Sequence, residues 1–318
     1  MSATLRDVQT TGRQILDTVG TVVVGKQRPL ALVLAGILAG GHVLLEDYPG
    51  LGKTLAARCF AQTLSLDFRR AQFTPDLLPG DLTGSFIYDQ REGEFVFRKG
   101  PIFAGLLLAD EINRTPPKTQ SALLEAMQER QVTVEGQTFA LPRPFHVLAT
   151  ANPIEYEGTY PLPEAQLDRF LMRVSFGYPS EEEEWQILAR RMARQQEESA
   201  LPAVTDGPGL LALQEALEQM TVEESIGRYC VALATASRAH PHALAGASPR
   251  GSLALLLCSR AYAALSGRDY VTPEDVKAVA VATLAHRVTV KPELWMSGAS
   301  GGSVVRAVLT SVPSPSAR

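Results

Sequence analysis

In the run Glu46-Asp47-Tyr48-Pro49-Gly50-Leu51-Gly52-Lys53-Thr54, the residue types are those that grip a chain of phosphates. Gly50 and Gly52 let backbone N–H groups close around anionic oxygens with no Cβ in the way. Lys53 supplies a compact positive charge for the β- and γ-phosphates, and the Thr54 hydroxyl is placed to ligate Mg²⁺. Pro49, Leu51 and Leu55 complete the loop and the first helical turn. The apolar His42-Val43-Leu44-Leu45 leads in and Leu55-Ala56-Ala57-Arg58 leads out. That is a strand, a glycine-rich loop and a helix start, with the positive helix end turned toward the anion. One position departs from G-x-x-x-x-G-K-[ST]: Asp47 stands where the first glycine falls. Aspartate tolerates turn conformations better than most residues, so the loop survives. The core G-K-[ST] is short, and an ordinary strand–turn–helix could carry it, so a second motif must decide.

Leu106-Leu107-Leu108-Ala109 supplies it. This continuous apolar run is what a strand buried on both faces requires, and it ends in Asp110-Glu111. Carboxylates at the C-terminal end of a central parallel strand stand in the crevice where α/β sheets bind ligands. Asp110 can hold Mg²⁺ through a water, and Glu111 can polarise the water that attacks a γ-phosphate. A further strand, Phe145 to Thr150, is followed by Asn152. A neutral amide there could orient the water or the γ-phosphate, or it could simply make the turn before Pro153; spacing does not separate the two. Arg169 and Arg173 flank the start of the last core strand. A lone arginine usually makes a surface ion pair worth little, but one aimed at a neighbour's γ-phosphate could stabilise transition-state charge.

The elements that position these groups follow from pattern. Strands near 43–46, 67–73, 106–110, 145–150 and 171–176 alternate with helices over 4–19, 27–39, 53–64 and 117–129, the signature of a parallel α/β core. Two hairpins are expected, 85–88 with 94–97 around the turn 90–93, and 132–134 with 138–140. Spacing alone favours an edge role in the sheet; hairpins beside a nucleotide site are also where partners are touched. Composition shifts at Gly177-Tyr178-Pro179. From there the chain reads as helical, with starts at Ser180, Asp206, Thr221, Ser248-Pro249 and Thr272-Pro273. Residues 312–318 read as a frayed tail. The fold expected is α/β with a helical lid: a core over 1–178, then a linker and lid over 179–318.

Composition narrows the function classes. The 318 residues carry 30 basic and 34 acidic side chains, net −4, which argues against a sequence-independent hold on nucleic acid. Cys59, Cys230 and Cys258 show neither metal-ligand nor disulfide spacing and suit a reducing cytoplasm. The N-terminus has no apolar signal core, and the longest apolar run is too interrupted to span a bilayer.

Further stretches carry a resemblance. They are Asp110-Glu111-Ile112-Asn113-Arg114, Pro116 to Met127, Ala151-Asn152-Pro153, Leu167-Asp168-Arg169-Phe170, Ser248-Pro249-Arg250 and Gly267 to Val276. With the phosphate loop, they make the chain similar to the AAA+ ATPases, and within them to the MoxR family, over residues 20–290. The resemblance implies a core with a central parallel five-stranded sheet and a C-terminal all-α lid. It implies ATP and Mg²⁺ as ligands, with Val24 and Gly25 in the adenine pocket. Asn152 becomes the sensor 1 residue and Arg250 the sensor 2 residue reaching from the lid. Arg169 becomes the arginine finger offered to the adjacent subunit, ahead of Arg173. The hairpins become the helix-2 insert and the pre-sensor-1 insert. The resemblance further implies a homo-oligomeric ring, usually a hexamer. The implied output is chaperone-like remodelling, maturation or metal-cofactor insertion of a partner, often one with a von Willebrand factor A domain. Two rivals remain at this stage: a nucleic-acid motor of the same class, and a nucleotide-gated scaffold that does not hydrolyse.

Overall fold

The computed structural model describes residues 3–91, 93–153, 159–194 and 200–315; of the turn 90–93, Glu92 lies outside them, as do residues 316–318 of the tail. The chain opens with α1 Leu5–Gly20 and α2 Gln27–Leu38, then alternates β1 Val43–Glu46, α3 Lys53–Thr63 and β2 Phe68–Gln72. A short α4, Pro79–Thr83, leads to the hairpin β3 Gly84–Asp89 and β4 Glu94–Lys99, and then β5 Leu106–Asp110. After α5 Pro117–Glu129 come a second hairpin, β6 Gln131–Val134 and β7 Gln137–Ala140, and β8 His146–Ala151. The core closes with α6 Glu164–Leu167 and β9 Met172–Val174. Then follow α7 Glu181–Arg194, α8 Gly207–Ala216, α9 Glu224–Ala239, β10 Ala243–Ala245, α10 Pro249–Leu265, α11 Pro273–Leu284, β11 Thr289–Val290 and α12 Gly301–Ser311.

Five parallel strands make one sheet in the order β2-β5-β8-β1-β9. Alternation splits the inner strands β5, β8 and β1 between two cores. Leu106 and Leu108 of β5 face a cluster with α1, α2, α3 and the C-terminal helices, whereas Leu107 and Ala109 face α5 and Phe73, Leu82 and Phe145. Helix α2 is buried over most of its surface because α10 and α1 cover what the sheet does not. Gly36 is required there: a Cβ on it would meet Val43 Cγ2 at 2.6 Å.

The edge role expected for the hairpins does not hold. Each is a separate two-stranded sheet outside the five-stranded one. They pack on one another through Phe97 and Phe139, stacked at 3.9 Å, with Phe86 at 5.5 Å from Phe97. A hairpin alone is marginal in water, and this aromatic contact is what supports both. The tip of the first leaves Ile87, Tyr88, Phe95 and Val96 exposed.

The C-terminal part is helical with one addition, the antiparallel pair β10–β11. Capping follows the sequence at four sites: Ser248 Oγ accepts from Arg250 N, Asp206 Oδ1 accepts from Gly209 N, and Ser180–Glu183 and Thr272–Asp275 form reciprocal caps. Thr221 is not a cap. Its backbone bridges Tyr270, and α9 starts at Glu224. The lid is clamped to the core through Arg287, whose side chain is 3 % exposed. Its Nε donates to Asp168 Oδ1 at 2.7 Å and its Nη2 to the Phe170 carbonyl at 2.8 Å. Burial pulls Arg287 below the usual arginine range, and the Asp168 carboxylate acts in the opposite direction.

Three histidines are buried in their neutral form. His42 Nδ1 accepts from Val147 N at 2.9 Å, so the proton sits on Nε2, which faces the Met127 carbonyl at 3.1 Å. His146 Nδ1 faces the Gly41 carbonyl at 3.0 Å. Burial pulls His42 down to about 3 and His146 to about 4, and holds His286 well below its ordinary value. In the unfolded chain each takes a proton near pH ~6.5. Between that value and the folded values the unfolded state binds more protons, so stability is full above pH ~6.5 and falls as pH drops below it. The slope is about 1.4 kcal/mol per pH unit for each histidine. Calorimetry should therefore show the melting temperature dropping steeply from pH 6.5 to pH 5. A flat profile over that window would contradict the buried neutral assignment.

Candidate active site

The loop after β1 is shaped by two left-handed residues, Gly50 at φ +80° and Gly52 at φ +83°. A Cβ at either would stand in open space, so glycine is demanded by backbone conformation and not by crowding. Asp47 is not left-handed, which is why the first glycine of the pattern can be missing. Its side chain is buried and bonded. Oδ1 accepts from Tyr48 N at 3.1 Å, and Oδ2 accepts from Ser175 Oγ at 3.0 Å, Phe176 N at 2.6 Å and Gly177 N at 2.7 Å. Lys53 opens α3, and its Nζ donates to the carbonyls of Asp47 and Tyr48. An ammonium has three donors, so one remains. Burial pulls the Lys53 amine below the ordinary lysine value, while the charges of Asp47, Asp110, Glu111 and Glu46 raise it. The acid pair and the loop amine therefore lie within each other's field.

That proximity follows from strand order. β8 separates β1 from β5, so Asn152 at its end lies between the phosphate loop and the acid pair. Thr150 on β8 binds both acids: its hydroxyl donates to Asp110 Oδ1 at 2.6 Å and accepts from Glu111 N at 2.8 Å. Asp110 Oδ2 accepts from Arg70 Nη2 at 2.7 Å. Glu111 has φ +57°, and its Oε2 accepts from Gln72 Nε2 at 2.7 Å and Arg114 Nη1 at 3.0 Å. Asn152 is buried, and its carbonyl accepts from Asn113 Nδ2 at 3.1 Å. The donor set of Thr54 and Asp110 is hard oxygen, which fits Mg²⁺. Each Asp110 oxygen already has one protein partner, which fits a water between carboxylate and ion.

The arginines separate. Arg173 Nη1 pairs with Glu46 Oε2 at 2.9 Å within the same chain. Arg169 is half-buried and has no side-chain hydrogen bond or ion pair among the described residues. Arg250, exposed at the start of α10, lies on the side of Ser248, whose hydroxyl reaches Asp168 Oδ2 at 3.3 Å. Among the described residues, no hydrogen bond or ion pair joins Arg250 to the phosphate loop. Val24 is buried and Gly25 turns left-handed against Glu183.

Known proteins share the sequence and the fold of this chain. Residues 42–172 match the profile of the ATPase family associated with various cellular activities, and residues 235–308 that of the AAA lid domain. Chaperone MoxR1 of Mycobacterium tuberculosis is 44% identical over 97% of this chain and 83% of its own. The chain belongs to the MoxR family of AAA+ ATPases. The Bacillus subtilis protein YeaC is 48% identical over 94% of this chain and 93% of its own. A crystal structure from Cytophaga hutchinsonii superposes with a TM-score of 0.90 at 42% identity, covering 97% of this chain and 96% of that one.

Four residues in this MoxR-family site escape a reading of the sequence: Arg70, Gln72, Arg114 and Thr150. Arg70 and Gln72 are two apart on β2, so they share a face. Their role appears only when β2 is placed beside β5 with Gln72 opposite Asp110. No helix among the described residues is long and apolar enough to cross a membrane.

Proposed function

We propose that the protein hydrolyses ATP with Mg²⁺ and uses the reaction to remodel a partner protein. The observation that carries this is the sheet order β5-β8-β1, in which only β8 stands between the Asp110-Glu111 pair ending β5 and the loop of Lys53 that follows β1. In this reading the phosphates rest on the N–H groups of Pro49 to Leu55 other than the proline, with Lys53 on the β- and γ-phosphates. Val24 and Gly25 face the adenine. Thr54 and Asp110 would hold Mg²⁺, which when bound supplies charge neutralisation across the β- and γ-phosphate oxygens. Glu111 takes the proton of the attacking water, Asn152 orients that water, and Arg169 and Arg250 offset transition-state charge.

Arg169 needs a neighbour to act on, so the working unit is a homo-oligomeric ring, a hexamer on the family's precedent, in the cytoplasm. A relative called a chaperone supports an output on other proteins. The exposed apolar tip of the β3–β4 hairpin supports direct contact with such a partner. The partners proposed are von Willebrand factor A domain proteins or others matured or loaded with metal. The test is phosphate release by purified protein with ATP. Turnover that is abolished by chelating Mg²⁺ and absent in Lys53→Ala is the expected result. A wild-type protein with no affinity for adenine nucleotides overturns the reading.

A further inference from the structure

The nucleotide reading divides the site into a base side, Val24 to Lys26, and a phosphate side, Pro49 to Leu55. Something must fix the distance between them. The contacts trace one route. Lys26 Nζ donates to the Tyr178 carbonyl at 3.0 Å, and Glu183 lies against Gly25. Arg190 Nη1 donates to the carbonyls of Gly20 at 3.0 Å and Thr21 at 2.7 Å. The segment from Tyr178 into α7 therefore holds the base side. Its other end is held by Asp47. Gly177, left-handed at φ +65°, turns the chain so that the successive N–H groups of Phe176 and Gly177 face one oxygen, Asp47 Oδ2, joined by the Ser175 hydroxyl. The ring of Tyr48 lies 5.6 Å from that of Tyr178 and closes the same gap. Asp47 also donates its N–H to the Ala151 carbonyl and receives Lys53 on its own carbonyl.

We propose that Asp47 is a positioning residue whose carboxylate sets the spacing between the phosphate loop and the base side of the nucleotide site. A buried carboxylate with this many donors is costly to replace. An asparagine amide nitrogen would face an N–H donor at either oxygen position, so Asp47→Asn is not conservative. Asp47→Gly restores the common loop residue and cuts the tie.

The proposal rests on the nucleotide reading, and the test separates the two. ATP engages both sides of the site, whereas inorganic tripolyphosphate engages the phosphate side alone. Titration calorimetry with each, in Mg²⁺, compares wild type, Asp47→Gly and Ser175→Ala. Asp47→Gly is expected to weaken ATP about tenfold or more, through lost preorganisation, with tripolyphosphate changing less than about threefold. Ser175→Ala removes one donor and should weaken ATP about threefold with tripolyphosphate unchanged. Equal loss of both ligands would mean that Asp47 acts only within the loop, and it overturns the proposal; so does an unchanged ATP affinity in Asp47→Gly. If Asp47→Gly does not fold, Ser175→Ala decides on the same criterion. A wild-type protein that binds neither ligand removes the nucleotide reading, and this proposal with it. One that binds both, with no selective loss in the variants, removes the proposal alone.

Discussion

Glu111→Gln is expected to retain ATP binding and to slow phosphate release by about 10²–10⁴-fold, the range for loss of a positioned general base. The backbone marks this residue. Among the described residues, four that are not glycine have positive φ: Ser65, Arg130, Glu135 and Glu111. Ser65 follows α3, Arg130 ends α5 and Glu135 lies in the β6–β7 turn, places where the chain must reverse. Glu111 alone stands at the end of a central strand. Such a conformation costs on the order of 1–3 kcal/mol and persists only where the surroundings over-determine it. Here Thr150 fixes the amide, and Gln72 and Arg114 hold the carboxylate. Glutamine has the same shape and can keep an oxygen toward Gln72 and Arg114. The Arg114–Glu111 pair is partly exposed, at 44% and 29%, so losing its charge should cost less than about 1 kcal/mol of stability. The variant should therefore melt close to wild type while losing turnover. Nucleotide titration beside a phosphate-release assay reads both, and an undiminished rate would remove Glu111 as the base.

The strands were legible because parallel strands buried on both faces read as unbroken apolar runs, and Leu106 to Ala109 is one. The phosphate loop was legible because its demands are local: Gly50 and Gly52 meet a φ requirement and Lys53 a charge requirement, all within a few residues. What was hidden depends on register between distant segments. Gln72 joins the site by standing opposite Asp110, and Thr150 by crossing from β8 to β5. Asp47 is the sharpest case. Read along the chain, it is a glycine position filled by a residue that tolerates turns. In the fold its backbone needs no such tolerance, and its side chain binds residues 175–177, about 130 positions later. The hairpins failed for a related reason. Alternation shows that a hairpin exists but not what it packs on, and the Phe97–Phe139 stack joins two hairpins across the whole of β5 and α5.

Arg169→Ala should cut turnover by about 10³–10⁵-fold, the range for loss of an arginine that offsets transition-state charge, with ATP binding by each copy largely kept. Two candidates flank the start of β9, and their surroundings differ. Arg173 is committed within its own chain to Glu46 at 2.9 Å. Arg169 has no such bond among the described residues, yet its neighbours are fixed: Arg287 binds the Asp168 carboxylate and the carbonyls of Phe170 and Leu171, and His286 faces the Phe170 carbonyl. A side chain without a partner on a clamped backbone is presented and not tethered, as a group that acts on a second copy must be. Mixing gives the decisive measurement. Neither Arg169→Ala nor Glu111→Gln should turn over alone. In a head-to-tail assembly with random mixing of equal amounts, about one quarter of the junctions pair an intact Glu111 with an intact Arg169 of the neighbour. Phosphate release should then recover to about one quarter of the wild-type rate. If every site were completed within one chain, no mixture would recover, and if Arg169→Ala alone kept the full rate, the arginine acting on the phosphate would have to be another.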